Sequence, residues 1–383
     1  KDPDYVPGLI RRNLLENPHR VTLTLRPDTR LESQRQQYIR EALDKRKAEL
    51  TDEERQAIVE RAAALEERQQ RKDDDSILPK VDLSDVPLQR PEPESRFDGD
   101  LGATVYARGT NGLVYEQVVI PLPDLEEEEL LLLPYLTALL PEVGCGELDY
   151  LQMQDRISAE SGGIGASFSA KGRIDDVQDL SGYIIFNGKA LARNRSALTR
   201  LLRDLYTDAR FDEKERIREI IAQIRTRREQ AVTGSGHALA MGAASQGMSP
   251  GAWLSFRLGG LAGIKGTKQL DQSLKDPEAL TDLCEKLAAL HEKIRNQDRE
   301  FLVIGEDEQL PAMVDDLKSC WRDAADSAGP DWKVDPVNYT TREAWLTSTQ
   351  VNFCSRAYST VAVDHPDAAA LTVLGGFLRN GYL

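Results

Sequence analysis

Residues 125–144, LEEEELLLLPYLTALLPEVG, set the tightest limit on what this chain can fold into. Four acids lead into a run with no further charge until Glu142. Carboxylates favour the start of a helix, where the backbone dipole is positive. The apolar run is shorter than the roughly 18–20 residues a membrane span needs, so the helix must bury itself in protein. Pro134 has no N–H and clashes with the preceding turn, so it is expected in the first turn or at a break. Beyond its acidic start the segment carries no imidazole, thiol or carboxylate until Glu142.

Such a helix needs a core, and 383 residues are enough for two or more domains. The chain is 40% hydrophobic and 30% charged, in the globular range. A net charge of −15 argues against nucleic acid and favours cationic partners. Cys145, Cys284, Cys320 and Cys354 form no CxxC pair, which reads as free thiols in a reducing compartment. No segment reads as a signal peptide or membrane span. The opening Lys1-Asp-Pro-Asp-Tyr and the close Gly381-Tyr382-Leu383 read as a fragment at both ends.

Val21, Leu23 and Leu25 alternate with threonines and predict a short strand within 16–28. Residues 34–50 and 52–72 then predict two charged helices in a hairpin with a thin apolar stripe. Thr51 and Glu54 are spaced as a capping box at the second. Residues 73–98, with four prolines and a DDD run, read as a linker. GATVYARGTNGLVYEQVVIPLP predicts a β-hairpin around Asn111-Gly112. Strands are expected at 157–172, 180–191 and 299–307, and helices at 195–207, 212–232 and 277–296. The Gly- and Ala-rich stretch 234–266 lacks a phosphate-loop motif and reads as closely packed helices. After Pro330, residues 345–363 predict a pair of strands and 367–383 a helix. Meandering strands with long helices give an α+β class built of repeated lobes.

Candidate chemistry is sparse. His19, His237, His291 and His365 occur at no metal-ligand spacing. Ser235 in GSGH lacks the strand–turn–helix setting of a nucleophile elbow. Cys145 in GCGE has no histidine nearby and reads as a plain thiol. From the residues alone, no catalytic site is named.

The order of blocks does carry a resemblance. The stretches ESQRQQYIREALDKRKAELTDEERQAI, NGLVYEQVVIPLP, YLQMQDRISAESGGIGASFSA, GSGHALAMGAASQGMSPGAWLSFRLGGLAGI and STQVNFCSRAYSTVAVDHPDAAALTVLGGFLRNGYL occur here in sequence. Together they resemble the C-terminal half, or peptidase-associated region, of the presequence-protease and falcilysin-like branch of the pitrilysin–insulinase superfamily of zinc metallopeptidases. The resemblance implies repeated α/β sandwich lobes in two halves joined by a helical hairpin. Residues 1–28 would end a second lobe, 29–96 form the hinge hairpin and linker, 97–310 a third, non-catalytic lobe, and 331–383 begin a fourth.

In the family's active lobe, an equivalent helix after an edge strand carries the zinc motif HxxEH. Laid over this helix, the motif falls on Pro134, Thr137 and Ala138, none of which supplies a zinc donor or a general base. The resemblance therefore implies an inactive domain, with zinc held outside this chain by the N-terminal catalytic half of the same polypeptide. The family's Arg and Tyr pair would fall beyond Leu383, so Arg379 and Tyr382 are not assigned that role. Implied for the parent is hydrolysis of short, unstructured peptides; the net charge of −15 would suit cationic ones among them. It would act in the cytoplasm of a bacterium or an organelle matrix of a eukaryote, with no nucleic acid or membrane partner. Two rivals remain: a degenerate peptidase-like subunit that only binds or scaffolds, and a helical scaffold whose hairpin at 31–72 binds a partner protein.

Overall fold

The computed structural model describes residues 4–72, 74–321, 332–347 and 351–381. It divides into two units, Lys1–Arg90 and Pro91–Leu383.

The first unit is helical. After α1 (Tyr5–Ile10), it contains α2 (Leu31–Glu49) and α3 (Asp52–Gln70), and neither long helix buries a residue. The capping box forms as spaced: Glu54 N–H donates to Thr51 Oγ1 at 3.2 Å, and Thr51 N–H to the Glu54 carboxylate at 2.9 Å. The strand expected at Val21, Leu23 and Leu25 does not form; all three side chains are more than three-quarters exposed. A strand exists only when its N–H and C=O groups pair with a neighbour, and this unit supplies none among the described residues.

The second unit is built on a six-stranded sheet: β1 (Arg96–Asp98), β2 (Ala103–Ala107), β3 (Leu113–Pro121), β4 (Ile164–Gly172), β5 (Leu180–Leu191) and β6 (Glu300–Gly305). Their spatial order is β1-β2-β6-β3-β5-β4. The sheet is mixed: β2 and β6 run parallel and the other pairs antiparallel. With its helices this makes the unit α+β.

The second unit departs from the sequence expectations at four points. The Asn111-Gly112 turn forms, with φ of 53° and 76°. Yet it does not close a two-stranded hairpin, because β6 lies between β2 and β3. Phe301 and Val303 are buried and Leu302 and Ile304 half-buried, so β6 is apolar on both faces and belongs at the sheet's centre. The strand read from 157 begins only at Ile164. Before it stands α5 (Tyr150–Glu160), capped by a reciprocal Asp149–Gln152 pair and burying Met153 and Ile157. Third, Pro134 is neither in the first turn nor at a break, but inside α4 (Glu127–Leu139). Burial of Leu130, Leu133, Leu136 and Leu139, at about 1.5–3 kcal/mol each, offsets the ~3 kcal/mol that an interior proline costs.

Fourth, described residues of 345–363 form no strand, and 348–350 lie outside the described residues. The expected helix there does form, as α13 (Ala368–Gly381), with Leu371, Leu374, Phe377 and Leu378 exposed. Tyr382 and Leu383 lie outside the described residues.

One face of the sheet is covered. Val114, Val118, Ile120, Ile184 and Phe186 lie on it, beneath α6 (Arg195–Asp208) and α12 (Leu310–Cys320). Helix α12 was not read from the sequence; Leu310, Met313 and Leu317 tie it to the same core. Helix α4 packs on β4, α7 (Lys214–Gly234) and α11 (Pro277–Arg295). The Gly- and Ala-rich stretch forms α8 (Gly236–Ser245), α9 (Pro250–Leu258) and α10 (Leu261–Ser273), close-packed as expected.

Candidate functional site

Helix α4 carries Pro134, Thr137 and Ala138, the positions on which the metal motif falls. It follows β3, which lies inside the sheet between β6 and β5. Pro134 and Ala138 are half-buried. Thr137 is buried, and its hydroxyl donates to the Leu133 carbonyl one turn back at 2.9 Å. That bond satisfies the hydroxyl locally.

Between these positions, Tyr135 shares a 2.8 Å hydrogen bond with Thr267 of α10, whose Oγ1 accepts from Arg228 of α7 at 2.6 Å. The Arg228 guanidinium lies over the Tyr135 ring, 5.5 Å from its centroid. The helix is thus held by a cation–π and hydroxyl network, with no donor set for a metal. A zinc ion does not fit these residues, and no group of three or more metal-ligating side chains occurs among the described residues.

The four histidines are scattered. His291 is buried on α11 against the Phe211 ring, and burial with the nearby Arg295 pushes it down to about 4, so it is neutral at physiological pH. His19 and His237 are exposed, and His365 sits beside Asp367. Burial and the carboxylates of Asp204 and Asp208 push Cys145 up to about 12. Its Sγ donates to the Asp204 carbonyl, so the plain-thiol reading fits. Ser235 links α7 and α8 at an exposed position.

Sequence reasoning missed Glu116. It is 2% exposed on β3, where Oε2 accepts from Thr199 of α6 at 2.8 Å and Oε1 has no partner among the described residues. Burial pushes its pKa up to about 7; the Thr199 hydroxyl opposes the rise and the Asp316 carboxylate adds to it. Asp316 of α12 pairs with Arg195 of α6 at 3.0 Å. The signal was present in VYEQVVI: the register that buries Val114, Val118 and Ile120 also buries Glu116.

The opposite sheet face is of another kind. Tyr115, Gln117 and Val119 of β3 stand in register with Ile185 and Asn187 of β5 and Leu302 and Ile304 of β6, with Thr104 and Tyr106 of β2 beyond. All nine are half-buried. On β3, β5 and β6 this face carries one acid, Glu300, and one base, Lys189. It is a broad, twisted, nearly neutral surface of aromatic, aliphatic and amide side chains. Such a surface can contact an extended peptide by packing and hydrogen bonds, and carries no group to cleave it.

The sequence profile of a family described as peptidase M-sixteen-C associated matches residues 25–270. A mitochondrial presequence protease of Danio rerio is 24% identical over 416 aligned residues, covering 100% of this chain and 40% of that protein. A chloroplastic and mitochondrial presequence protease 1 of Arabidopsis thaliana is 27% identical, covering 73% of this chain and 26% of its own length. A mitochondrial presequence protease of Yarrowia lipolytica is 25% identical, covering 100% and 39%. The chain thus spans two-fifths or less of the length of these relatives.

Proposed function

The chain belongs to the peptidase M-sixteen-C associated family, and from that premise we propose that it is the non-catalytic half of a zinc metalloendopeptidase that degrades short, unfolded peptides. The observation that carries this reading is α4. The lobe keeps a long helix directly after β3, and at Pro134, Thr137 and Ala138 that helix has no imidazole and no carboxylate. The relatives' names, as presequence proteases, support the activity of the parent. Zinc and its general base belong, on this reading, to an N-terminal half of the same polypeptide.

In this reading residues 1–28 end a second lobe, 29–96 form hinge hairpin and linker, 97–310 the third lobe, and 331–383 begin a fourth. The open sheet face bearing Tyr115, Gln117 and Val119 is the part of the chamber wall that touches substrate. The net charge of −15 supports cationic peptides as the substrate class, by long-range attraction rather than by a local acid cluster on that face. An organelle matrix is the proposed location, from the relatives' names.

The experiment compares this chain with the complete reading frame. Zinc content and cleavage of an unstructured cationic peptide are measured for each. Zinc near zero and no cleavage here, with one zinc and chelator-sensitive cleavage in the complete protein, is expected. One tightly held zinc in this chain would overturn the reading. A complete protein without zinc or cleavage would instead favour a peptidase-like subunit that only binds. Affinity for the cationic peptide should weaken with added salt; an unchanged affinity would remove the charge argument alone.

A further inference from the structure

The two edges of the sheet differ. Edge strand β1 has three residues, and two of them, Arg96 and Asp98, are charged. Short length and charge are common means of keeping an unpaired edge from recruiting other chains. Strand β4, at the opposite edge, has nine residues, with no proline and no charge before Lys171. Two rungs just beyond its ends fix its backbone phase. Lys189 N–H donates to the Gly163 carbonyl at 3.3 Å, and Arg173 N–H to the Asp179 carbonyl at 2.9 Å. Both continue the register that sets Ile164 opposite Gly188 and Gly172 opposite Leu180. Antiparallel hydrogen bonding alternates along a strand, so Gly165, Ser167, Ser169 and Lys171 turn their N–H and C=O groups to β5. Ile164, Ala166, Phe168, Ala170 and Gly172 turn theirs outward. Among the described residues, none of these outward backbone groups has a hydrogen-bond partner.

The side chains along this edge are small where they meet the open sheet face. Gly165, Ser167 and Ser169 share that face with Asn187, Ile185 and Tyr183 of β5. Beyond Gly172 the chain enters a hairpin turn, residues 173–179, in which Asp175, Asp176 and Asp179 are exposed. Arg173 is its only base and pairs with Asp175 at 2.8 Å and Asp179 at 3.5 Å, so the turn keeps an excess of negative charge. At the other end of β4, Glu160 already pairs with Arg156 at 3.3 Å. That distribution disfavours a second copy of this chain as the occupant. Two copies paired antiparallel along the whole strand would centre on Phe168 and set Asp176 of each beside Glu160 of the other, and like charges placed opposite one another are destabilising.

We propose that the outer edge of β4 binds an extended, unfolded peptide as an added antiparallel strand, with basic residues at the peptide's N-terminal side. Antiparallel addition lays that side beside the acidic turn at 173–179. The peptide's N–H and C=O groups pair with those of Ile164, Ala166, Phe168, Ala170 and Gly172. Main-chain hydrogen bonds then supply the affinity and the turn supplies the charge preference. Such an edge accepts many sequences, provided they are extended and their own backbone groups are free. The binding site rests on the sheet topology; calling the peptide a substrate rests on the peptidase reading.

The test uses the full chain and a labelled peptide in which two lysines precede a Thr-Val-Thr-Val-Thr-Val segment. Hydrogen exchange is read at single residues. In the free chain the amides of Ala166, Phe168 and Ala170 should exchange fast and those of Ser167 and Ser169 slowly. The peptide should slow the first set several-fold and leave the second unchanged. Two further peptides carry N-methyl groups at one or the other alternate set of residues, which removes donors from one edge without altering the protein. One should bind roughly ten-fold more weakly or worse, and the other nearly as well as the parent peptide. Moving the lysines to the C-terminal end should weaken binding about two-fold. Binding that leaves Ala166, Phe168 and Ala170 unprotected, or equal loss with both methylated peptides, would overturn the proposal and place the peptide on the sheet face instead. An absence of binding also overturns it, as does a dimer in which these amides are already protected, since a second copy would then fill the edge. Unchanged or tighter binding with the lysines moved would overturn the antiparallel assignment. None of these outcomes alters the zinc content or cleavage of the complete protein, so the peptidase reading stands or falls separately.

Discussion

Thr199 Oγ1 donates a 2.8 Å hydrogen bond to Glu116 Oε2, joining α6 to the central strand β3 inside the core. Glu116 Oε1 has no partner among the described residues, and Asp316 stands near enough to add to the burial cost of ionisation. The pKa rises from 4.5 to about 7. Between those values the unfolded chain has lost the proton and the folded chain keeps it, so stability falls as pH rises and levels off above pH 7. Raising pH from 4.5 to 7.5 should cost up to about 3 kcal/mol at this site. Glu116→Gln should remove that part of the slope and be the more stable protein at pH 8, measured by denaturant unfolding at each pH. An unchanged slope would mean that Glu116 is already ionised in the fold.

Interior Pro134 leaves the Leu130 carbonyl without the backbone N–H that would otherwise close the turn. Pro134→Ala restores that donor. The expected gain is about 1–3 kcal/mol, less whatever packing the half-buried ring supplies, and it appears as a higher melting temperature. A lower melting temperature would show that the ring's packing outweighs the missing bond.

Glu213 closes a loop. Its Oε2 accepts from Gly144 N–H at 2.6 Å and its Oε1 from Tyr150 N–H at 2.9 Å, fixing the approach to α5. Glu213→Ala strands two backbone donors and should cost about 2 kcal/mol. Glu213→Gln, which keeps one acceptor oxygen, should cost less. Equal losses for both variants would assign the effect to packing.

The thiols should separate by reactivity. Cys354 is exposed, whereas Cys145 and Cys284 are buried with their pKa values raised by burial. Thiolate, not thiol, attacks a disulfide reagent. Native protein at pH 8 should therefore show a fast phase that Cys354→Ser abolishes, with Cys145 and Cys284 reacting only on unfolding. A fast phase surviving Cys354→Ser would place a reactive thiol elsewhere.

Much of the fold was legible because its signals are local. The Thr51–Glu54 pair, the 180–191 alternation, α6, α7, α11 and the Asn111-Gly112 turn depend on residues within a few positions of one another. The candidate site was less legible. That α4 lacks metal donors follows from its letters alone. That Arg228 and Thr267 clamp it, and that a neutral sheet face lies open, required partners from distant segments.

What the sequence by itself determined is therefore period and punctuation: where chain is helical, where it is extended, and which residues turn it. Tertiary structure decided pairing and burial. The alternating pattern at 21–25 and the one within 345–363 read as strands, like that of β5, yet only β5 has neighbours on both sides to take its N–H and C=O groups. Strand β6 could separate β2 from β3 only once the chain had folded back to bring Leu302 beside Thr104. Pro134 stayed inside its helix because leucines around it reached a core no local window contains. Backbone hydrogen bonds across a sheet and the burial of apolar surface are interactions between segments far apart in sequence, and their outcome is fixed only when the partners arrive.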